Sequence, residues 1–442
     1  MKISSRRFAT AVLFVVVCAT VATSALAAND RPSRPETSQT PESQSVPGSS
    51  VDELLAMART MNPGLAAAAL EAQAAQARIG TTGQYPDPMF RTEFEDITGT
   101  GTRYAPDTLG RVKYTIEQTI PLWGKLDLQR KVAVAEAGAA SEQRRAVENE
   151  LAARIKIAFA NAYATREAIR INEELLGTVA AIALVAQSRY AQGQGGQQDA
   201  VTAEVERGRL QADLARLDGE RKNWNAQMNA LLSRPVGAPL APPQALRSVP
   251  APQSLEINHL VDRAEAANPK LRSDTAQIAA NERSTELVRR SWYPDVTLGL
   301  SVFDGDADDG REFGGYEAMV SVAIPLQWGL RRAQEGEALA RLAASRARRQ
   351  STGLDVQSEI EKAYWALVSA QSGERILRDI NIPQTRVVLQ SALAGYQLGR
   401  VDLPTVLLAE QAVLRVALDR INLLIEQQVR LAEIERSIGE DL

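Results

Sequence analysis

Residues able to carry enzymatic or metal chemistry are scarce in this chain. The 442 residues contain one histidine, His259, and one cysteine, Cys18. A lone histidine in a helical segment is more often a packing or surface residue than a ligand, and soft metal sites need several His or Cys side chains. The chain also lacks a supported Ser/His/Asp arrangement and a phosphate loop ending in Gly-Lys-Ser/Thr. We therefore expect no enzyme, no cofactor and no metal site, and any metal ion that passes should pass hydrated.

The residues best placed for another kind of chemistry surround two short turns. Tyr190-x-x-Gly193 and Tyr396-x-x-Gly399 share one spacing, and an Ala-Glu pair follows each at the same distance. The glycines favour turns that need a positive φ. Charged residues near the turns could hold them shut or attract ions: Asp199, Glu204, Arg400, Asp402 and Glu410. Helix capping is an equal explanation for Asp402 and another for Asp199, and simple packing beneath a turn explains Tyr190 and Tyr396 as well.

The turns are the predicted tips of long helical hairpins. The run Lys125–Leu231 contains no proline, and its apolar residues recur at helical spacing. The cluster Gly193, Gly195 and Gly196 is its one strong interruption, so the run predicts two antiparallel helices joined at a tip. At about 1.5 Å per residue the first helix approaches 90–100 Å. A rod of that length suits a conduit or a spacer better than a compact enzyme.

The whole plan is present twice, which indicates an internal duplication. The paired motifs are Asn62-Pro63 with Asn268-Pro269, Tyr85-Pro86-Asp87 with Tyr293-Pro294-Asp295, Ile120-Pro121-Leu122 with Ile324-Pro325-Leu326, and the two Tyr-x-x-Gly turns. Gly177 stands where Pro383 stands, so we expect a break before each tip. Each copy, 51–234 and 253–442, should contain a helix interrupted at Asn-Pro, two strands and the long hairpin. The Pro- and Ala-rich stretch 235–252 is the predicted linker.

Four segments alternate between apolar and polar residues over about ten positions each. They are the predicted strands, at about 86–97, 109–121, 294–304 and 314–326. Ten residues is the length of a tilted membrane-spanning strand, and alternation suits a wall with lipid outside and water inside. A soluble sheet with one wet face is the alternative. Open sheet edges are not tolerated in lipid and the smallest common membrane barrels have eight strands, so a barrel would need strands from several chains.

The first residues read as a targeting segment. Lys2, Arg6 and Arg7 precede an apolar stretch, and Ala25-Leu26-Ala27 is a small-x-small cleavage site, so 1–27 is the predicted signal peptide. An N-terminal membrane anchor is the alternative. Cys18 should leave with the signal, because Val15-Val16-Val17 is a poor lipidation context. Residues 28–50, rich in Pro, Ser and Thr, are expected to form a disordered tail or an extended outer arm. The formal charge of −4 gives no nucleic-acid footprint.

Taken together, the signal, the duplicated order of motifs, the Ile-Pro-Leu strand ends and the Tyr-x-x-Gly tips resemble the TolC-like outer membrane efflux proteins. The resemblance covers essentially the whole mature chain. It implies a mainly α protein with a membrane β-barrel part: a homotrimer whose twelve-stranded barrel in outer membrane lipid continues into a helical periplasmic tunnel. It also implies a periplasmic adaptor and an inner-membrane RND-type pump as partners. Tyr85-Pro-Asp-Pro88 and Ile382-Pro383-Gln384 are more similar to the CusC/CzcC heavy-metal branch.

The sequence is consistent with two functions. In the first, the chain is an outer membrane exit duct that passively conducts metal cations or small toxic compounds. The resemblance then implies that the tips narrow the pore and meet the adaptor, and a threefold assembly turns any inward carboxylate into a ring that attracts cations. In the second, the chain is a periplasmic helical scaffold or adaptor that does not span a membrane. Adaptors also have long hairpins, but usually one, without four alternating strands in a duplicated frame.

Overall fold

A computed structural model describes residues 46–95, 111–251, 254–306 and 312–442. The predicted signal peptide, Cys18, most of the predicted arm 28–50 and the loops that join the strands of each pair lie outside the described residues. Predictions about them stay predictions.

The two copies have the same order of elements. The first copy contains α1 (Val51–Met61), α2 (Pro63–Thr81), β1 (Met89–Glu95), β2 (Arg111–Ile120), α3 (Lys125–Ala191) and α4 (Gln197–Leu231). The second contains α5 (Ile257–Ala267), α6 (Pro269–Arg290), β3 (Asp295–Asp306), β4 (Glu312–Ala323), α7 (Trp328–Ile376), α8 (Ile382–Gln397) and α9 (Leu403–Ile438). Among the described residues, none of these helices combines the length and apolar character needed to cross a membrane.

The Asn-Pro motifs break the first helix of each copy, as predicted. Pro63 and Pro269 each occupy the first turn of a new helix, where the missing N–H costs nothing. The asparagine before each proline caps that turn by accepting from the backbone N–H three residues on, at 3.1 Å in both copies. Its amide also donates to a carbonyl near the end of the last helix of the same copy, Leu231 (2.8 Å) or Ser437 (2.7 Å). Each Asn-Pro break therefore fastens the first helices to the hairpin.

The predicted break before the tip is present in only one copy. In the second copy a π-helical segment, Leu377–Asn381, separates α7 from α8 just before Pro383. In the first copy α3 runs without interruption past Gly177 for 67 residues, or about 100 Å. Proline has no N–H to donate and its ring clashes with the preceding turn, so the helix must widen there. Glycine keeps its N–H, and the prediction of a break at Gly177 was wrong for that reason.

The four strands form one antiparallel sheet in the order β1-β2-β3-β4. Their register places residues of one kind opposite each other: Ile116 pairs with Leu300, which pairs with Ala318, and Thr115 pairs with Ser301, which pairs with Glu317. One face of the sheet is therefore apolar and the other polar. Several strand ends differ from the predicted ones by two or three residues. The proline-containing segments at 86, 121 and 325 lie outside the strands because proline cannot donate to a ladder.

The repeated Tyr-Pro-Asp motif joins the sheet to the long helix of the first copy. The Asp295 carboxylate accepts from Lys125 Nζ at 2.8 Å and from the Leu122 N–H at 3.3 Å. The Trp123 indole donates to the Pro294 carbonyl at 2.9 Å, and its ring lies 5.1 Å from that of Tyr293. Residues from both copies thus hold β3 against the start of α3.

A buried ionic cluster ties the linker to both hairpins at the opposite end of α4 and α9 from the tips. Glu435 of α9 accepts two parallel hydrogen bonds from Arg247 of the linker, each 3.0 Å, and one of 2.8 Å from Lys156 of α3. Lys156 also bonds Asp441, which holds the pKa of that carboxyl below its usual range. The side chains of Lys156 and Glu435 are almost fully buried, so each charge depends on its partners.

Candidate functional site

The two hairpin tips have the same backbone geometry. Gly193 and Gly399 both have a φ of +70°, the left-handed conformation predicted for them. The glycine N–H donates to the tyrosine carbonyl three residues back at 3.0 Å, and the next residue closes a six-residue turn at 2.8 Å. This pattern is the Schellman motif, which satisfies the last carbonyls of a helix. A side chain at either glycine would be strained, so the two tips need glycine there.

The helices that leave the tips begin differently in the two copies. Asp402 is the N-cap of α9: its carboxylate accepts from the Thr405 N–H at 3.2 Å and from the Thr405 hydroxyl. These hydrogen bonds lower the pKa of the Asp402 carboxyl. The residue at the equivalent position before α4 is Gly196, so Asp199 lies in the first turn of α4 and is not its N-cap. The capping explanation therefore holds for Asp402 and was wrong for Asp199.

A cluster of side chains links the first hairpin to the second at the tips. Arg189, in the last turn of α3, donates from its guanidinium to the backbone carbonyl of Tyr396. The same guanidinium lies over the Tyr396 ring, 4.8 Å from the ring centroid, in cation–π geometry. Burial raises the pKa of the Tyr396 phenol, and the nearby Asp199 carboxylate raises it further. We call Arg189, Tyr396 and Asp199 the tip link.

The other candidate residues divide into exposed and buried ones. Tyr190 and Arg400 are exposed. Glu204 is half-buried, forms an ion pair of 2.8 Å with Arg207 and accepts from Gln187 at 3.4 Å. Tyr396 is only 3% exposed because it packs in the apolar cluster formed by α3, α4, α8 and α9. The two tyrosines are equivalent in sequence, but only the second one packs beneath its turn.

Glu410 differs most from the sequence prediction, which placed it at the surface of the tip. Its side chain is fully buried and its two carboxylate oxygens accept no hydrogen bond from any described residue. In this conformation Glu410 therefore cannot meet an adaptor or form a carboxylate ring in a pore. Its neighbour across the hairpins is Glu206 of α4, which is also buried. The described residues hold no group of three or more His, Cys, Asp and Glu side chains that could bind a metal ion.

Sequence reasoning missed Arg189 and Glu206. Both stand where the two copies differ: the residue equivalent to Arg189 is Gly395, and the one equivalent to Glu206 is Ala412. The motifs were found by matching the copies, so positions that break the match were overlooked. A search for charged residues that one copy has and the other copy lacks would have found both residues.

The polar face of the sheet is the second candidate surface. Thr115 and Ser301 hydrogen-bond across β2 and β3 at 2.8 Å, and Lys113 and Glu317 form an ion pair of 2.6 Å. Arg91 of β1 pairs with Glu117 of β2 at 3.2 Å. On the opposite face the large apolar side chains are exposed: Phe90, Phe94, Tyr114, Ile116, Leu298, Leu300, Val302, Tyr316, Val320 and Val322. The polar side chains are more covered than the apolar ones, the reverse of a soluble sheet.

Comparisons with known proteins agree with this architecture. The pyoverdine export outer membrane protein OpmQ of Pseudomonas putida is 22% identical over 404 residues, which cover 88% of this chain and 85% of OpmQ. The solved outer-membrane channel OprN is similar with a TM-score of 0.76 at 18% identity, covering 88% of this chain and 89% of OprN. A solved structure of CusC is similar to the same degree, with a TM-score of 0.76 at 18% identity, covering 94% of this chain and 99% of CusC. The structural likenesses establish the fold, a helical tunnel joined to a β-barrel.

The sequence profile described as outer membrane efflux protein matches this chain twice, over residues 54–234 and 260–440. Each match covers one copy of the duplicated unit. Together the matches cover most of the 442 residues. The chain therefore belongs to the outer membrane efflux protein family and lies in the outer membrane of a Gram-negative bacterium, with a large helical part in the periplasm.

Proposed function

We propose that three copies of this chain form the exit duct of a tripartite efflux system. The duct passively conducts substrate from an inner-membrane RND-type pump, through a periplasmic adaptor, to the outside. The observation that carries the proposal is the sheet: its apolar face is exposed, the middle of its polar face is buried, and β1 and β4 each pair with one described strand only. Lipid does not tolerate such edges, so strands of other copies must cover them. Three copies supply twelve strands.

The polar face suits the wall of a water-filled passage. Its charged side chains pair with one another, as Arg91 does with Glu117 and Lys113 with Glu317. Paired charges and hydroxyls keep the wall wet without building a ladder of ligands for one ion. This wall supports passive conduction of hydrated or bulky cargo. We propose the same substrates as the sequence predicts, metal cations or small toxic compounds. We also propose that the chain belongs to the heavy-metal branch of the family.

The tips are the proposed periplasmic end, where the pore narrows and the adaptor binds. Tyr190, Glu204 and Arg400 are the exposed or half-exposed candidates for that contact. Gly193, Gly399 and Asp402 shape the turns that present them. Asp199 and Tyr396 belong to the tip link, which holds the two hairpins of one chain together. Glu410 is fully buried, so it acts from inside the chain, through the packing of α4 against α9.

Two neighbouring positions on β4 test the duct against the periplasmic scaffold. Val320 and Ser321 are both exposed in the single chain, and they point to the apolar and the polar face respectively. Each would be changed to cysteine in a Cys18→Ser background and treated, in outer membrane vesicles, with a charged thiol reagent that cannot enter lipid. We expect labelling of Ser321→Cys and protection of Val320→Cys, because only the polar face meets water.

The scaffold function gives a different result. A sheet that stays in the periplasm would leave both cysteines open to the charged reagent, and the protein would not fractionate with the outer membrane. Native mass measurement in detergent adds an independent test of the assembly. A purified protein that is only monomeric would contradict the twelve-stranded barrel.

A further inference from the structure

Glu410 and Glu206 form a pair of buried carboxyl groups where the two hairpins of one chain meet. Glu410 lies on α9, about two turns from its cap Asp402, and Glu206 faces it from α4. Glu410 is 0% exposed and neither of its oxygens accepts a hydrogen bond from a described residue. A buried ionised carboxylate without donors is strongly unfavourable, so this geometry suits a protonated, uncharged Glu410.

Glu410 forms no ion pair with a cationic side chain of the described residues. Glu206 takes the available donors, accepting from Arg209 at 2.9 Å and from Gln411 at 3.2 Å. Arg209 also bonds Asp213 at 3.2 Å. Glu206 and Arg209, both on α4, are the charged groups that act on the Glu410 carboxyl.

Apolar layers enclose the pair along the helices. Toward the tip, Leu407 of α9 packs in one cluster with Ile182 of α3 and Leu389 of α8. Away from the tip, Leu414 packs with Val179 of α3 and Leu210 of α4. The side chains that α3 and α8 contribute to these layers are apolar, so they offer Glu410 neither a charge nor a donor. Water would have to enter between the hairpins to solvate an ionised Glu410.

We propose that Glu410 is a proton-operated lock: protonated, it lets α4 and α9 pack together above the tips, and ionised, it drives them apart. This inference rests on the proposed function for its biological meaning, because a looser hairpin contact at the periplasmic end would make the duct open more readily as the periplasm becomes alkaline. The ligand of the site is the proton. The packing itself is a property of the single chain and can be measured apart from conduction.

The direction and size of the effect follow from protonation. Burial raises the pKa of the Glu410 carboxyl from its ordinary value of 4.5 to about 7, and the Glu206 charge adds to the rise while Arg209 opposes it. The packed state binds the proton more tightly than a solvated state does, so packing is most stable below about pH 4.5 and weakens as the pH rises to about 7. Between pH 6 and pH 8 the ratio of separated to packed hairpins should rise about tenfold per chain.

Hydrogen exchange of the purified trimer in detergent measures the lock directly. Rates for α9 amides near residues 403–414, corrected for the intrinsic effect of pH, should rise about tenfold between pH 6 and pH 8 in the wild type. Glu410→Gln keeps the shape and cannot ionise, so its corrected rates should not change with pH. Glu204→Gln removes the carboxyl group at the equivalent position of the other copy, which is half-exposed and paired with Arg207, and should keep the wild-type pH dependence.

A second variant tests the lock even if Glu410→Gln does not assemble. Glu206→Gln removes the neighbouring negative charge and frees Arg209 to pair with Glu410, so the exchange transition should move to lower pH. Corrected wild-type rates that stay constant from pH 6 to pH 8, or the same pH dependence in Glu410→Gln as in the wild type, would overturn the lock. Planar bilayer recordings separate the two proposals: conduction that does not change with pH, beside exchange that does, would overturn the coupling of the lock to the pore and leave the duct intact. A trimer that conducts at no pH contradicts the duct, while its exchange rates still decide about the lock.

Discussion

Arg189→Ala should loosen the second tip from the first. The substitution removes one charge-assisted hydrogen bond to the Tyr396 carbonyl and one cation–π contact with its ring. Typical contributions are about 1.5–3 kcal/mol for the hydrogen bond and about 0.5–1 kcal/mol for the ring contact near the surface. The Tyr396 carbonyl keeps the Gly399 N–H as a donor at 3.0 Å, so no unsatisfied acceptor adds to the loss. Since Arg189 is only half-buried, we expect the low end of the sum, about 2 kcal/mol.

The expected loss of stabilisation predicts how much faster the amides of the second tip should exchange with solvent. About 2 kcal/mol corresponds to a roughly 30-fold increase in local opening. Amides near 395–403 should therefore exchange about 30-fold faster in Arg189→Ala, while amides in the middle of α9 keep their wild-type rates. If loosening the tips also opens the pore, the variant should show a larger mean conductance in planar bilayers.

Arg400→Ala is the matched control at the same tip. Arg400 is exposed, and its side chain forms no ion pair within the described part of the chain. Its loss should change the exchange rates of the tip by less than about threefold, in keeping with the small effect of most surface substitutions. Equal acceleration in both variants, or rates in Arg189→Ala within threefold of the wild type, would refute the tip link as an energetic contact.

Three further substitutions test other parts of the fold. Glu435→Gln leaves Lys156 and Arg247 without their shared buried carboxylate, and should destabilise the protein by about 3–5 kcal/mol in denaturant unfolding; a loss under 1 kcal/mol would show that water already reaches the cluster. Asp402→Ala removes an N-cap and should cost about 1 kcal/mol of helix stability with wild-type ion selectivity; altered selectivity would favour a gating role instead. Leu300→Arg places a charge on the apolar face near the middle of β3, and should cost about 2–4 kcal/mol of folding in lipid; normal assembly would mean that this face does not meet lipid.

Much of the fold was predictable because it depends on local chemistry. Alternation of apolar and polar residues predicts a strand and its two faces, and the register confirms that Ile116 and Leu300 share one of them. Proline without an N–H predicts the helix breaks at Pro63 and Pro269. Glycine at a position of positive φ predicts the tip at Gly193. Each of these outcomes needs only a few neighbouring residues, and the duplication repeats the information.

The candidate site could be predicted only in part, since its contacts join residues about 200 positions apart. The sequence indicated that Tyr190 and Tyr396 end equivalent helices, but only the packing of α8 and α9 against α3 buries the second one. Arg189 reaches Tyr396 across two hairpins, and nothing near either residue predicts that contact.

Contacts between distant parts of the chain also explain why Glu204 and Glu410, which are equivalent in the two copies, have different surroundings. The sequence by itself determined that each lies in the helix that follows its tip, at the same distance from that tip. The tertiary structure decided that Glu204 pairs with Arg207 near the surface while Glu410 is enclosed opposite Glu206. Periodicity determines which face of a helix a residue occupies, but the free energy of a charge depends on what packs against that face, and only the assembled hairpins supply it.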